Sequence, residues 1–209
     1  MKASQQARRI LFSTGLSAVL LYTLHVIIGG FLWKGYNHLQ QPISDLTGEG
    51  APNQSLMLVF TTAYGFLALL FAISIAVFEK PKHNKLVGWG SICFVLMHLV
   101  SLSYGLFPED LQGKEQTFAG FMHIAVTALI VPFTIMTPLL LGLGFRKEEN
   151  WKAFGIYSII TGVLILIFGG MSAMFFINKY PFFGLIERLN IGTLQIWTLL
   201  LSLKLITTR

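Results

Sequence analysis

The chain has 209 residues, of which 54% are hydrophobic and only 11% are charged, and its mean hydropathy is +0.68. Soluble domains carry about 25% charged residues, so this composition excludes an ordinary soluble fold and indicates an integral membrane protein. The formal net charge of +6 does not indicate a nucleic-acid partner, because the basic residues occupy short segments between apolar runs, where membrane topology explains them. No polar linker is long enough to separate two domains.

Six apolar runs approach or exceed the roughly 20 helical residues that a membrane crossing requires. The predicted spans are residues 10–33, 55–78, 86–108, 117–143, 153–177 and 189–206. The first run is too long for the apolar part of a typical signal peptide, and Pro132 and Pro138 should kink the fourth helix or end it early. The sequence therefore predicts an all-α, six-transmembrane-helix bundle in which residues 1–209 form a single integral membrane domain.

The Lys and Arg residues predict the orientation of this bundle. Eleven of them lie at the two termini and in the segments after the second and fourth spans, against four in the remaining connections. The positive-inside rule then places both termini in the cytoplasm of a multi-pass cell-membrane protein. Cys93 is the only cysteine and lies inside an apolar run, where it is expected to be a small buried side chain rather than a disulfide partner.

The predicted outer connections carry most of the acidic residues. Ser44 and Asp45 lie in the longest connection, between the first two spans, and Glu109 and Asp110 follow the third span. The last outer connection brings Glu187 and Arg188 to the start of the sixth helix. Each group has a structural alternative as well: a turn held by Asp45, solvated loop carboxylates, or an arginine that anchors a helix end at the interface.

Three histidines lie within predicted spans, where polar groups are costly and tend to face the bundle interior. At about 1.5 Å per helical residue, His25, His98 and His123 lie about 12, 15 and 9 Å from the outer helix ends. All three are thus in the outer half of the bundle. A hydrogen-bonded structural role is possible for each one, but the three together predict a polar pocket that opens to the outside.

Short motifs along most of the chain carry a resemblance to a known family. They are Gln41-Pro-Ile-Ser-Asp-Leu46 with Gly50-Ala-Pro52 and Met57, Gly105-Leu-Phe-Pro108 with Asp110, then His123, Trp151, and Gly184-Leu-Ile-Glu-Arg188 before Trp197. As a set, these motifs resemble the domain of unknown function 998 family of small polytopic membrane proteins. The resemblance implies a six-helix protein with no established activity, whose motif residues correspond to Ser44, Asp45, Pro108, Asp110, His123 and Arg188. His25 and His98 are not part of it.

The first functional hypothesis is a membrane-embedded hydrolase, possibly metal-assisted, that acts on a lipid or another amphiphile. Asp45, Asp110 and His123 are its candidate catalytic residues, and the same three are tentative ligands for a divalent metal that would activate water. Ser44, Glu187 and Arg188 are candidate substrate-binding residues, since an arginine can hold an anionic group. His25 and His98 are possible additional pocket residues.

Two other classes remain open from the sequence. The protein could be a non-catalytic transporter, lipid-binding protein or pH sensor, whose histidines would respond to the outer pH. A b-type haem protein with His25 and His98 as axial ligands is the third alternative. The metal hypothesis has little support from motifs, because no His-Glu-x-x-His or comparable ligand pair occurs on one helix. In all three classes the lipid bilayer is the surrounding partner.

Overall fold

The computed structural model describes residues 2–79, 83–111 and 114–208, with side chains from residue 5 onward. Its six long helices are α1 (Lys2–Leu32), α2 (Gln54–Phe78), α3 (Lys85–Ser101), α4 (Phe118–Phe145), α5 (Lys152–Ile177) and α6 (Phe183–Thr207). All six are long and apolar enough to cross a membrane. The predicted all-α fold is therefore confirmed, with six helices among the described residues that are long and apolar enough to cross a membrane. Lys80, Lys82 and Arg209, which count toward the predicted orientation, lie outside the described residues.

The six helices form a closed ring. Each one packs against its neighbours in the sequence, and α6 returns to pack against α1. The Ser202 hydroxyl near the end of α6 donates to the Phe12 carbonyl near the start of α1, at 2.7 Å. Both termini and the α2–α3 and α4–α5 connections therefore share one end of the bundle, which we call the terminal face. The other three connections form the opposite end, which we call the loop face.

Large aromatic side chains fill the centre of the ring. Phe12, Phe71, Phe94, Phe145 and Trp197 are all fully buried and belong to one apolar cluster. The Trp197 ring lies 5.6 Å from Phe94, and its indole N–H donates to the Ser158 hydroxyl at 2.9 Å, as a buried tryptophan requires. The ring is thus a packed bundle rather than an open channel in this region.

Three helix ends differ from the sequence prediction. α3 ends at Ser101 and not near residue 108, because the chain tightens into a 3₁₀ helix at Leu102–Gly105. α4 continues through both of its prolines to Phe145, so it does not end early. α6 begins at Phe183, six residues before the predicted start, because the α1–α2 connection caps it: the amides of Gly184 and Leu185 donate to the carbonyls of Gln40 and Leu39.

An ionic cluster ties the terminal face together. Glu79 is buried and accepts from Arg8 of α1 at 3.0 Å and from His83 Nε2 at 3.3 Å. The other ring nitrogen of His83 faces Glu148 of the α4–α5 connection at 2.6 Å. Burial opposes protonation of His83, but its hydrogen bonds to Glu79 and Glu148 outweigh burial and raise its pKa. This cluster links α1, α2 and the two connections.

Candidate functional site

The α1–α2 connection folds back over the loop face instead of projecting into solvent. Ile43 and Leu46 are buried and form a small apolar cluster with Met57 of α2. Directly after Ile43 the chain forms a 3₁₀ helix at Ser44–Thr47, which includes Leu46. The burial of these apolar side chains fixes the positions of Ser44 and Asp45, which lie between them.

Arg188 fastens this connection to α6. One terminal guanidinium nitrogen donates to the carbonyls of Gln41 and Gly184, at 2.8 and 2.9 Å, and the other donates to the Tyr36 hydroxyl at 2.7 Å. The guanidinium also lies 5.6 Å from the centre of the Tyr36 ring, and the Tyr36 hydroxyl donates to the Pro42 carbonyl. A Cβ at Gly184 would overlap the Gln41 carbonyl. The predicted substrate-binding arginine thus has both terminal nitrogens bound to the protein's own groups.

Glu187, one residue earlier, also holds the connection in place. Its carboxylate accepts a hydrogen bond from the backbone amide of Ile43. Like Arg188, it lies in the second turn of α6 rather than in a loop before the helix. Its predicted role in substrate binding stays a prediction, and the role that its contacts indicate is to position the 3₁₀ helix.

Two further carboxyl groups meet beside this 3₁₀ helix. Asp45 is only 3% exposed and accepts from the Gln41 side-chain amide at 3.2 Å. Glu109 is hydrogen-bonded to the Ser44 side chain, and its backbone carbonyl accepts from the Glu49 amide at 2.8 Å. One oxygen of Glu109, Oε2, is buried without a hydrogen-bond partner among the described residues. Glu109 was not among the predicted site residues, and the signal that could have identified it is its position next to Asp110 in the sequence.

The pKa values of Asp45 and Glu109 are shifted by burial and by neighbouring negative charge. Burial and the nearby Glu109 carboxylate raise the pKa of Asp45 to about 6, against the opposing effects of Gln41 and Arg188. Burial and the charge of Asp110 likewise raise the pKa of Glu109, against its hydrogen bond with Ser44. Two buried carboxyl groups favour a proton or a cation between them.

Asp110 has a different environment from its neighbour. Its two oxygens accept from the backbone amide and the hydroxyl of Thr117, both at 2.8 Å. The same hydroxyl caps α4 by accepting from the Gly120 amide at 3.1 Å. A Cβ at Gly120 would overlap the Asp110 carboxylate, so Asp110 packs directly on the first turn of α4. The contacts of Asp110 are those of a capping residue.

His123 lies one turn further along α4. Its Nδ1 lies 2.9 Å from the Phe107 carbonyl, which can only accept, so Nδ1 carries the proton and Nε2 keeps its lone pair. The ring packs against Tyr104 with 4.7 Å between centroids. The Tyr104 hydroxyl is in turn hydrogen-bonded to Thr127, at 2.8 Å.

A cavity of about 210 Å³ lies at the loop face between these elements. Its polar lining consists of Asp45, Glu109, Asp110, Lys114 and Gln116, and its apolar lining includes Pro42, Leu111, Ile124, Phe176 and Phe183. We call it the loop-face cavity. It contains two of the predicted site residues, Asp45 and Asp110. His123 and Arg188 do not line it, although Arg188 connects to Asp45 through Gln41.

Most of the motif residues that prompted the family resemblance therefore lie together on the loop face, whereas Trp151 lies at the terminal face and Trp197 lies in the aromatic centre of the bundle. The family model described as "Protein of unknown function (DUF998)" matches residues 16–204. The chain belongs to the DUF998 family. Comparison of the chain with curated proteins and with solved structures finds no match. Any function assigned to this DUF998 protein must therefore come from its own geometry.

The metal hypothesis gains no support from that geometry. Within residues 2–79, 83–111 and 114–208, no three His, Cys, Asp or Glu side chains are grouped closely enough to hold a metal ion. Asp110, one of the three predicted metal ligands, is hydrogen-bonded to Thr117, and His123 is hydrogen-bonded to the Phe107 carbonyl. A metal in this DUF998 protein stays an untested prediction that the function proposed below does not require.

His25 of α1 and His98 of α3 are buried within the bundle and are not among the residues that line the loop-face cavity. They are 2% and 3% exposed. His25 packs edge-on against Tyr22, and His98 packs against Phe94 and Tyr64, with centroids 4.8 to 6.2 Å apart. The two possible additional pocket residues therefore belong to a separate, interior group of this DUF998 protein.

Proposed function

We propose that this DUF998 protein binds the cationic head group of a membrane amphiphile in the loop-face cavity, without chemical conversion. The observation that carries the proposal is the mixed lining of the cavity, in which the carboxyl groups of Asp45, Glu109 and Asp110 occur together with the aromatic rings of Phe176 and Phe183. An amphiphile likewise combines a polar head with an apolar tail.

Charge determines the class of head group. Among the described residues, three carboxyl groups and a single cation, Lys114, line the cavity. Asp45, with its pKa of about 6, is mostly ionised at neutral pH, and the desolvated anion gains most from a neighbouring positive charge. An ammonium group supplies that charge and can approach both Asp45 and Glu109, whereas an anionic head would be repelled.

Size limits what the cavity can hold. Pockets for whole small molecules usually measure about 300–1,000 Å³, and this one measures about 210 Å³. It can take a head group but not a complete lipid. Phe176 is 46% exposed and the adjacent Ile177 is 74% exposed, so an acyl chain can lie along the outside of α5 while the head occupies the cavity.

The test is a comparison of two ligands with the same chain and opposite charge. Purified protein in dodecyl maltoside micelles is titrated with dodecyltrimethylammonium or with dodecanoate, and binding is read from the thermal shift and by calorimetry. We expect saturable binding of the ammonium compound only. Asp45→Asn and Glu109→Gln should weaken it, each by about tenfold or more, because a carboxylate about 4 Å from a cation attracts it by about 1–4 kcal/mol, depending on the local dielectric.

Glu49→Gln is the matched control. Glu49 is exposed and lies in the same connection, but it does not line the cavity, so this variant should bind like the wild type. Equal binding of both ligands, or equal losses in all three variants, would show that only micelle partitioning or bulk charge is being measured.

Hydrolysis of an amphiphile is the second candidate. It is favoured by the free Nε2 lone pair of His123 and by the pKa of Asp45, since acid–base groups that titrate near neutral pH are common in catalytic sites. It ranks second because His123 does not line the cavity that holds Asp45. Turnover of long-chain esters or phosphoesters that His123→Ala abolishes, in a variant that still binds dodecyltrimethylammonium, would move hydrolysis to first place.

The proposal includes an orientation. The excess of Lys and Arg at the terminal face supports a cytoplasmic location for both termini. The loop-face cavity would then open to the outside of a cell membrane, where it meets head groups of the outer leaflet.

A further inference from the structure

A second polar group lies inside the bundle, away from the loop-face cavity. It consists of His25 and Tyr22 of α1, Tyr64 of α2, His98 of α3 and Gln195 of α6, and we call it the inner polar cluster. Its rings are in continuous contact: Tyr22 lies 5.8 Å from His25 and 4.9 Å from Tyr64, and Tyr64 lies 6.2 Å from His98. The Gln195 side chain donates to the Tyr64 hydroxyl at 3.0 Å.

The two histidines of this cluster are not satisfied by protein groups. All four of their ring nitrogens are buried and have no hydrogen-bond partner within the described part of the chain. A neutral imidazole always carries one N–H donor and one lone-pair acceptor. Buried polar groups without partners are rare and call for an explanation, which is often an ordered water. The orientation of a single side chain could leave one histidine unpaired by chance. It does not explain two unpaired histidines that come from different helices and belong to one cluster.

The chemistry of the cluster limits the ligand. Its members are imidazole, phenol and amide groups, and none is a carboxylate or a permanent cation, so an ion would be buried there without a counter-charge, which is costly. A neutral molecule that both donates and accepts hydrogen bonds matches an imidazole on either nitrogen. Buried water makes about three hydrogen bonds of this kind. Tyr22 also lies within electrostatic reach of Glu187 and Arg188, which connects the cluster to the polar loop face.

We propose that His25 and His98 bind water inside the bundle, in a hydrated site that is distinct from the loop-face cavity. This site does not depend on the amphiphile-binding function. It would place neutral hydrogen-bonding groups in the membrane interior below the cavity, where other parts of the bundle are packed with aromatic rings.

The sign of a stability change tests the proposal. His25→Phe and His98→Phe keep a ring of similar shape but remove both nitrogens. If water satisfies those nitrogens, each substitution breaks hydrogen bonds and should lower the thermal midpoint by about 5 °C. If the nitrogens are dry and unpaired, the substitution removes a penalty, and the midpoint should rise. An unchanged or higher midpoint overturns the proposal. Met97→Leu, which alters an equally buried neighbour of His98, is the control for repacking.

A measurement on the wild-type protein covers the case in which the variants do not fold. In ¹⁵N-histidine-labelled protein in nanodiscs, magnetisation transfer from water to the ring N–H of His25 or His98 should be observed. Its absence from both rings overturns the proposal. So does a stoichiometric metal, or a haem absorption band, in the purified protein, because the ligand of these histidines would then not be water.

Discussion

The main effect of replacing Asp110 with alanine should be a lower stability of the protein and not a loss of ligand binding. The Asp110 carboxylate accepts from the amide and the hydroxyl of Thr117, and Thr117 caps α4. Alanine removes both acceptors at once and leaves the hydroxyl of Thr117 without its orienting partner. Asparagine keeps one acceptor oxygen and should have about half the effect.

The expected loss of stability depends on how exposed this helix cap is to solvent. Thr117 is exposed, so water can replace part of the lost acceptor, and the cost should be near the typical value for loss of an N-cap, about 1 kcal/mol. For a protein of this length, that corresponds to a fall in the thermal midpoint of about 2–4 °C. Thr117→Ala should cost a similar amount. The double variant should cost less than the sum, because both substitutions remove the same cap.

The assay is thermal unfolding in dodecyl maltoside, with Glu115→Ala as an exposed acidic control in the same connection. Dodecyltrimethylammonium binding is measured on the same samples at a temperature where all of them are folded. An Asp110→Ala variant with the wild-type midpoint and a complete loss of ammonium binding would refute the reasoning, since Asp110 would then be a ligand contact and not a cap.

Three further predictions concern other parts of the molecule. Gly120→Ala should lower the midpoint at least as much as Asp110→Ala, because its Cβ would overlap the Asp110 carboxylate; a wild-type midpoint would contradict this packing. Folding raises the pKa of His83, so protonated His83 stabilises the folded protein. This contribution is complete at pH values below the ordinary histidine pKa of about 6.5, and it is lost as the pH rises through the raised pKa. The midpoint of the wild type should therefore fall on alkalinisation while that of His83→Gln changes less, and equal slopes would count against the ionic cluster. In a Cys93→Ala background, an impermeant thiol reagent should label cysteines at positions 49 and 114 in intact cells but not one at 149, and the reverse pattern would invert the proposed orientation.

The six spans were predictable because membrane crossing imposes length and apolarity on each segment separately. Helix ends were not, because they depend on contacts between distant segments. α6 begins at Phe183 because Leu39 and Gln40 supply carbonyls to its first turn. Nothing in the local sequence around residue 183 reveals those acceptors. Glu187 and Arg188 were for that reason placed before the helix instead of inside it.

The candidate site was predictable only in part. The motif around Asp45 and the depth of the histidines pointed to the loop face, where the loop-face cavity lies. The division of roles between Glu109 and Asp110 could not be read from two adjacent acidic residues, since it depends on Ser44 approaching one and Thr117 the other. The sequence likewise placed Arg188 near the site but could not show that Gln41 and Tyr36 occupy its terminal nitrogens.

The dependence of ammonium affinity on pH tests the central proposal most directly. Dodecyltrimethylammonium keeps its charge at every pH, so a change in affinity reports on the protein. If the cation binds to ionised Asp45, whose pKa is about 6, the wild-type affinity should rise about tenfold between about pH 5 and pH 7, as the ionised fraction rises. The affinity of Asp45→Asn should be weak, and it should change less over that range than the affinity of the wild type, because only Glu109 then remains to titrate. Wild-type affinity that does not change with pH, or that is higher at the lower pH, would contradict the account of the loop-face cavity as a carboxylate site for a cationic head group.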